Sequence, residues 1–114
     1  KIKGATWSQP QAFYTLAGSF DRNRIIPTFS NKGYIFPCYN SSPATDYSFL
    51  LRLPASGSKL TRVDIKNSDN LIQPTIIRLN KTQQLRSFFR DENAGSIYYA
   101  DSSDDGLTWT TPKP

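Results

Sequence analysis

Eight consecutive residues, Ser102-Ser103-Asp104-Asp105-Gly106-Leu107-Thr108-Trp109, constrain this chain more than any other stretch. Their order, S-x-D-x-G-x-T-W, specifies a hairpin turn. Gly106 supplies a position of positive φ without steric cost. Asp104 can accept hydrogen bonds from turn N–H groups that would otherwise lack partners. Ser102 ends the incoming strand, and Trp109 covers the turn as the chain leaves it.

A partial second copy stands at the N-terminus. Gly4-Ala5-Thr6-Trp7-Ser8-Gln9-Pro10 matches Gly106 to Pro112 at its Gly, Thr, Trp and Pro positions. Between them Ser56-Gly57-Ser58-Lys59-Leu60 occupies an equivalent, worn turn, with Ala55 for the Asp and Leu60 for the Trp. The three glycines are 53 and 49 residues apart, and a period of about 50 residues filled with hairpins is that of a four-stranded propeller blade. The first blade then has strands near Arg24–Phe29, Gly33–Tyr39, Asp46–Leu53 and Lys59–Ile65. The second has Thr75–Leu79, Gln84–Arg90, Ser96–Asp101 and a fourth beginning at Thr108. Asn31-Lys32-Gly33 and Asn80-Lys81-Thr82 make the first turn of each blade. Gln11–Leu16 is expected as the outer strand of a preceding blade. The expected organisation is therefore residues 1–17 ending one blade, 24–65 a complete blade and 73–114 the next. A generic β-sandwich with two similar turns is the competing architecture.

Composition agrees with an all-β chain and removes several chemistries. There are seven Phe, six Tyr, two Trp and eight Pro, with no Met and no His. Cys38 is alone, so it has no intrachain disulfide partner. Without a His there is no Cys–His couple and no His-based serine triad, and one Cys cannot build a zinc site. No metal and no cofactor are expected. Cys38 lies in the apolar run Tyr34-Ile35-Phe36-Pro37-Cys38-Tyr39, where a buried inert thiol is expected. The net charge of +5 is scattered rather than clustered, so a nucleic-acid partner is not expected, although the charge suits an anionic sugar. No stretch has the length of a membrane span or the pattern of a signal peptide. Opening in mid-motif without Met, the sequence reads as a piece of a longer chain.

The motif and its surroundings carry a family resemblance. S-x-D-x-G-x-T-W is the Asp-box pattern of sialidase-like, BNR-repeat propellers. Ile72-Gln73-Pro74-Thr75 through Arg90, then Gly95-Ser96-Ile97-Tyr98 and the box, resembles that family's strand sequence, and Tyr34–Tyr39 resembles an earlier strand. The resemblance implies a sialidase-type β-propeller, here partial, with about two four-stranded antiparallel blades of the usual six. It also implies an extracellular or periplasmic setting. Arg24-Ile25-Ile26-Pro27 looks like the family's R-I-P motif but carries an extra Ile and follows a box instead of preceding the first. It is read as coincidence.

Propeller geometry directs attention to the ends of strands. The innermost strand opens, and the second strand closes, at the ligand-binding rim. Gln73 and Arg90 take these places in the second blade, and Tyr39 takes the place of Arg90 in the first. Asn40 and Asp91 follow one step further out. Sialidase-like proteins hold a substrate carboxylate with arginines, a task suited to the guanidinium fork. The resemblance therefore implies Arg90 as a carboxylate ligand, Gln73 as a hydroxyl ligand and Tyr39 as pocket lining. The competing role for Arg90 is a rim ion pair with Asp91 or Glu92. Asp104 and Asp105 form a tempting carboxylate couple, but their turn is expected at the blade periphery, where Ser102, Asp104, Gly106 and Trp109 are structural. No nucleophile or acid/base residue is assigned.

Three functional expectations follow. The chain is part of a sialidase-like glycoside hydrolase acting on terminal acidic sugars such as sialic acid, and is inactive alone. It is a non-catalytic carbohydrate- or protein-binding propeller. Or it is a structural unit whose open blade edges self-associate to close a ring.

Overall fold

The computed structural model describes residues 4–30, 32–57 and 59–114, so Lys1–Lys3, Asn31 of the first expected turn and Ser58 of the middle one lie outside the described residues. Every regular element among them is a strand, and all strand pairs are antiparallel. In the first sheet β1 (Ser19–Asp21) and β2 (Ile26–Pro27) lie end to end along one edge of β3 (Gly33–Asn40). Next come β4 (Tyr47–Pro54) and β5 (Thr61–Asp64). The second sheet runs β6 (Leu71–Arg78), β7 (Leu85–Asp91), β8 (Ile97–Ser102) in order. This is an all-β architecture of antiparallel sheets, compatible with blades of the propeller type that the resemblance implies.

The two-residue period of a strand decides what each face buries. Ile35 and Leu50 of the first sheet meet Ile76, Leu85, Phe89 and Ala100 of the second, with Ile65 and Leu71 completing the core. Burying a side chain of this size contributes about 1.5–3 kcal/mol. The opposite face of the first sheet carries Phe36, Cys38, Phe49 and Leu51. Residues 13 and 14 cover it: the Phe13 ring lies 5.2 Å from Phe36, and Tyr14 5.7 Å from Phe49. The outer face of the second sheet, with Ile77, Phe88 and Ile97, stays exposed.

Four strand expectations need correction, and in three of them prolines supply a reason. Gln11–Leu16 is not a strand; it docks by its rings on a sheet face instead of pairing along an edge. The expected strand Arg24–Phe29 shrinks to Ile26–Pro27, and an unexpected β1 takes up the pairing beyond the interruption. The interruption lies opposite Phe36 and Pro37, and Pro37 has no N–H to donate. The innermost strand of the second sheet begins earlier than expected, at Leu71, because its pairing with β7 resumes on the far side of a bulge at Gln73-Pro74. The fourth strand expected from Thr108 reduces to a single bridge, Lys113 with Tyr99. Pro112 and Pro114 flank Lys113 and cannot extend a ladder.

The expected turns are present where they are described. Asn80 and Lys81 both have positive φ, +50° and +53°, as a primed hairpin turn requires. Gly4, Gly57 and Gly106 share the left-handed conformation, with φ of +78°, +67° and +85°.

Candidate functional site

The bulge in β6 puts Gln73 where a straight strand could not. Its φ is +54°, uncommon for a residue with a Cβ. The partner that holds it comes from the other sheet. In the gap between β1 and β2, the Asp21 carboxylate accepts the Asn23 N–H (3.3 Å), and the Asn23 side-chain amide donates to the Gln73 and Pro74 carbonyls at 2.9 Å each. The irregularities of the two innermost strands are thus bonded to one another.

Arg90, next to last in β7, stands beside this junction. With Asn23, Gln73, Thr75, Phe88, Phe89 and Ile97 it lines a depression of about 240 Å³. A second hollow of about 310 Å³ continues from Arg90 past Asp91, Gly95 and Ser96. The expected alternation holds: Arg90 and Phe88 face outward, while Ser87 and Phe89 are buried. Arg90 is not the partner of Asp91, whose carboxylate accepts the Asn93 and Gly95 N–H groups at 2.9 and 3.1 Å. Among the described residues the Arg90 guanidinium makes no ion pair or hydrogen bond.

The structure brings Gln73 and Arg90 together but keeps Tyr39 out of their depression. Tyr39 is buried and stacked under Phe20, with ring centroids 5.5 Å apart. Asn40 is buried too, its amide donating to the Ala17 carbonyl at 2.8 Å. Cys38 is a buried thiol pushed up to about 12, by burial first and then by the charge of Asp21.

Glu92, one residue past β7, is the other expected partner of Arg90. Its carboxyl is raised by loss of water and then by the charge of Asp46, while the charge of Arg90 pulls it the other way.

The Ser102–Trp109 turn spends its polar groups on itself. Asp104 accepts the Thr108 hydroxyl at 2.6 Å, the Thr108 N–H at 2.9 Å and the Ser102 hydroxyl at 2.8 Å. Thr108 holds the Asp104 carboxyl down to about 2, its hydroxyl contributing more than its N–H. The Gly106 N–H donates to Ser102 Oγ (2.8 Å), and the Trp109 indole N–H to the Gly106 carbonyl (3.1 Å).

Asp105 departs from the expectation of a turn confined to the periphery. Buried, with φ +60°, it reaches the innermost strands of both sheets. Its carboxylate accepts Arg78 at 2.6 Å and the Phe29 N–H at 3.1 Å, and its carbonyl accepts Arg52. Arg78 also donates to the Pro27 carbonyl at 3.0 Å. Nothing in D-x-G spacing points to this clamp, because its partners come from strands far away in the chain.

Among the described residues no group of three or more His, Cys, Asp or Glu is placed to hold a metal ion. Over residues 1–114 the chain matches the family model of the BNR repeat-like domain. No curated protein and no solved structure matches it.

Proposed function

The chain belongs to the BNR repeat-like family, and from that premise we propose that the rim around Arg90 holds the carboxylate of an acidic sugar in a sialidase-like glycoside hydrolase. The observation that carries this reading is the Arg90 guanidinium, which makes no hydrogen bond among the described residues, beside Gln73 in one depression. An arginine fork with its N–H groups unspent can take a carboxylate through two parallel hydrogen bonds. The Gln73 side chain offers a donor and an acceptor to a neighbouring hydroxyl. Phe88 and Ile97 add apolar surface against which a sugar ring can lie. Both carboxylates of the Ser102–Trp109 turn are occupied in holding structure, so the chain by itself binds without hydrolysing.

Titration of the chain with the methyl glycoside of N-acetylneuraminic acid tests the reading. Binding should be lost in Arg90→Ala and weakened in Arg90→Lys, which keeps the charge without the fork. Equal affinity in all three proteins would refute it. Release of the fluorophore from a fluorogenic sialoside by the purified chain would overturn the expectation of inactivity.

A second reading draws on Ile77, Phe88 and Ile97, exposed by 42, 36 and 65 % on the outer face of the second sheet. Such a face suits another copy of the chain, which would make self-association part of its role. Light scattering across a concentration series separates this from a monomeric binder.

A further inference from the structure

A larger cavity, of about 410 Å³, opens at the other end of β7. Arg86 and Arg90 are four residues apart, so about 13 Å of strand separates the two hollows. The cavity is within the roughly 300–1,000 Å³ typical of small-molecule sites. Its floor and walls include Leu79, Gln84, Arg86, Asp101, Trp109 and Thr110.

The chemistry here differs from that at Arg90. The Arg86 guanidinium is bound bidentately by Asp101, at 2.7 and 2.9 Å, so the pair carries no net charge. Both side chains are still more than a third exposed. Asp101 has acceptor lone pairs left over, and Arg86 has N–H groups left over. Two adjacent hydroxyls can meet such a pair, one donating to the carboxylate and the other accepting from the guanidinium. Trp109 spends its indole N–H on Gly106, so only the apolar part of its ring remains for contact. The Thr110 hydroxyl is fixed by the Asp101 N–H at 2.9 Å, which holds the polar wall in place.

We propose that this cavity is a second carbohydrate site, taking the vicinal diol of a neutral pyranose on Arg86 and Asp101 with Leu79 and Trp109 against the ring. It is independent of the acidic-sugar reading, which rests on a guanidinium without a hydrogen bond of its own. A neutral ion pair gains nothing from a ligand carboxylate, so the two ends of β7 select different sugars.

The test uses the ¹⁵N-labelled chain with methyl α-D-mannopyranoside and methyl β-D-galactopyranoside, both of which carry a cis diol. The indole N–H signal of Trp109 should move saturably with at least one of them, with a Kd on the order of 1 mM, while that of exposed Trp7 stays fixed. Arg86→Gln and Asp101→Asn should each weaken binding about tenfold, equal to about 1.4 kcal/mol. Gln84→Ala, at an exposed side chain outside the ion pair, should weaken it by a few-fold and guards against misfolding of the other two. Arg90→Ala should leave the Trp109 response intact while abolishing sialoside binding, which keeps the fates of the two sites apart. No Trp109 shift with either pyranoside, or a shift that survives Arg86→Gln, Asp101→Asn and Gln84→Ala, overturns the proposal.

Discussion

Asn23 holds Gln73 from the opposite sheet: its side-chain nitrogen stands 2.9 Å from the Gln73 carbonyl oxygen, and equally close to that of Pro74. Both carbonyls belong to the bulge of β6 and have no ladder partner there. Asn23→Ala removes a donor shared by two part-buried acceptors, so a loss of about 1–2 kcal/mol is expected. The urea midpoint should fall with the m-value unchanged. The Gln73 amide should exchange with solvent faster than in the parent, and acidic-sugar binding at Arg90 should weaken with it. Unchanged exchange at Gln73 would show that the bulge stands without Asn23.

The clamp at Asp105 should matter more. Arg78 and Arg52 both lean on it, with side chains only 19 and 18 % exposed. Asp105→Ala leaves two partly buried guanidiniums without their counter-ion and is expected to cost about 3 kcal/mol. Asp105→Asn tolerates the positive φ and retains an acceptor for the Phe29 N–H, so it should cost less. Denaturant titrations of the two variants measure the charge and the hydrogen bonds separately. Equal losses would mean that the charge contributes nothing.

How far these features were legible follows from where their determinants lie in the chain. The internal bonds of the Ser102–Trp109 turn, the primed turn at Asn80-Lys81 and the alternation of Arg86, Phe88 and Arg90 depend on neighbours a few residues away. Local chemistry decides them. The gap between β1 and β2 depends on what Pro37 fails to donate from the adjacent strand, and the Gln73 bulge on an amide 50 residues upstream. Asp105 was legible as a turn residue but not as a clamp, because Phe29 is 76 residues away. Of the proposed rim, Arg90 stands next to last in β7 as its strand end predicts, whereas Gln73 lies in the bulge inside β6 and not at the strand's mouth. The burial of Tyr39 was not legible, since the ring over it belongs to the unexpected strand β1.

Acid should loosen the molecule through Asp104. Its carboxyl titrates near 2 in the folded chain, below the roughly 3.9 of an unfolded aspartate. Its contribution is therefore complete above about pH 4 and is lost as the pH falls toward 2. Asp101, lowered by its bond to Arg86, acts in the same sense. Asp21 and Glu92 are raised, so their ionisation works against the folded state as the pH climbs through their range. Urea midpoints between pH 2 and 5 should fall on the acid side, and Asp104→Asn should flatten that limb. An unaltered slope in the variant would assign the effect to other groups.

Cys38 should be silent in the native protein. Burial and the nearby Asp21 charge hold its thiol near 12, so at pH 8 almost none is thiolate, and the thiolate is the reactive form. A disulfide reagent such as dithionitrobenzoate should react only in proportion to opening of the sheet, and fully once urea unfolds the chain. Fast stoichiometric labelling without denaturant would contradict the packing of Phe36 and Phe49 around it.

The outer face of the second sheet leads to the last expectation. Ile97 is the most exposed of its large apolar side chains, and Phe88 lies between Arg86 and Arg90 on the neighbouring strand. If this face meets another copy, the Arg90 depression is covered in the contact, because Phe88 and Ile97 line both. Association and acidic-sugar binding should then compete. Light scattering should show a mass that rises with concentration and falls when N-acetylneuraminic acid methyl glycoside is added. Ile97→Lys should hold the chain monomeric at every concentration by placing a charge in the contact, with little effect on stability at so exposed a site. Sugar that binds without lowering the mass would place the contact elsewhere and leave the Arg90 rim free for ligand in every assembly state.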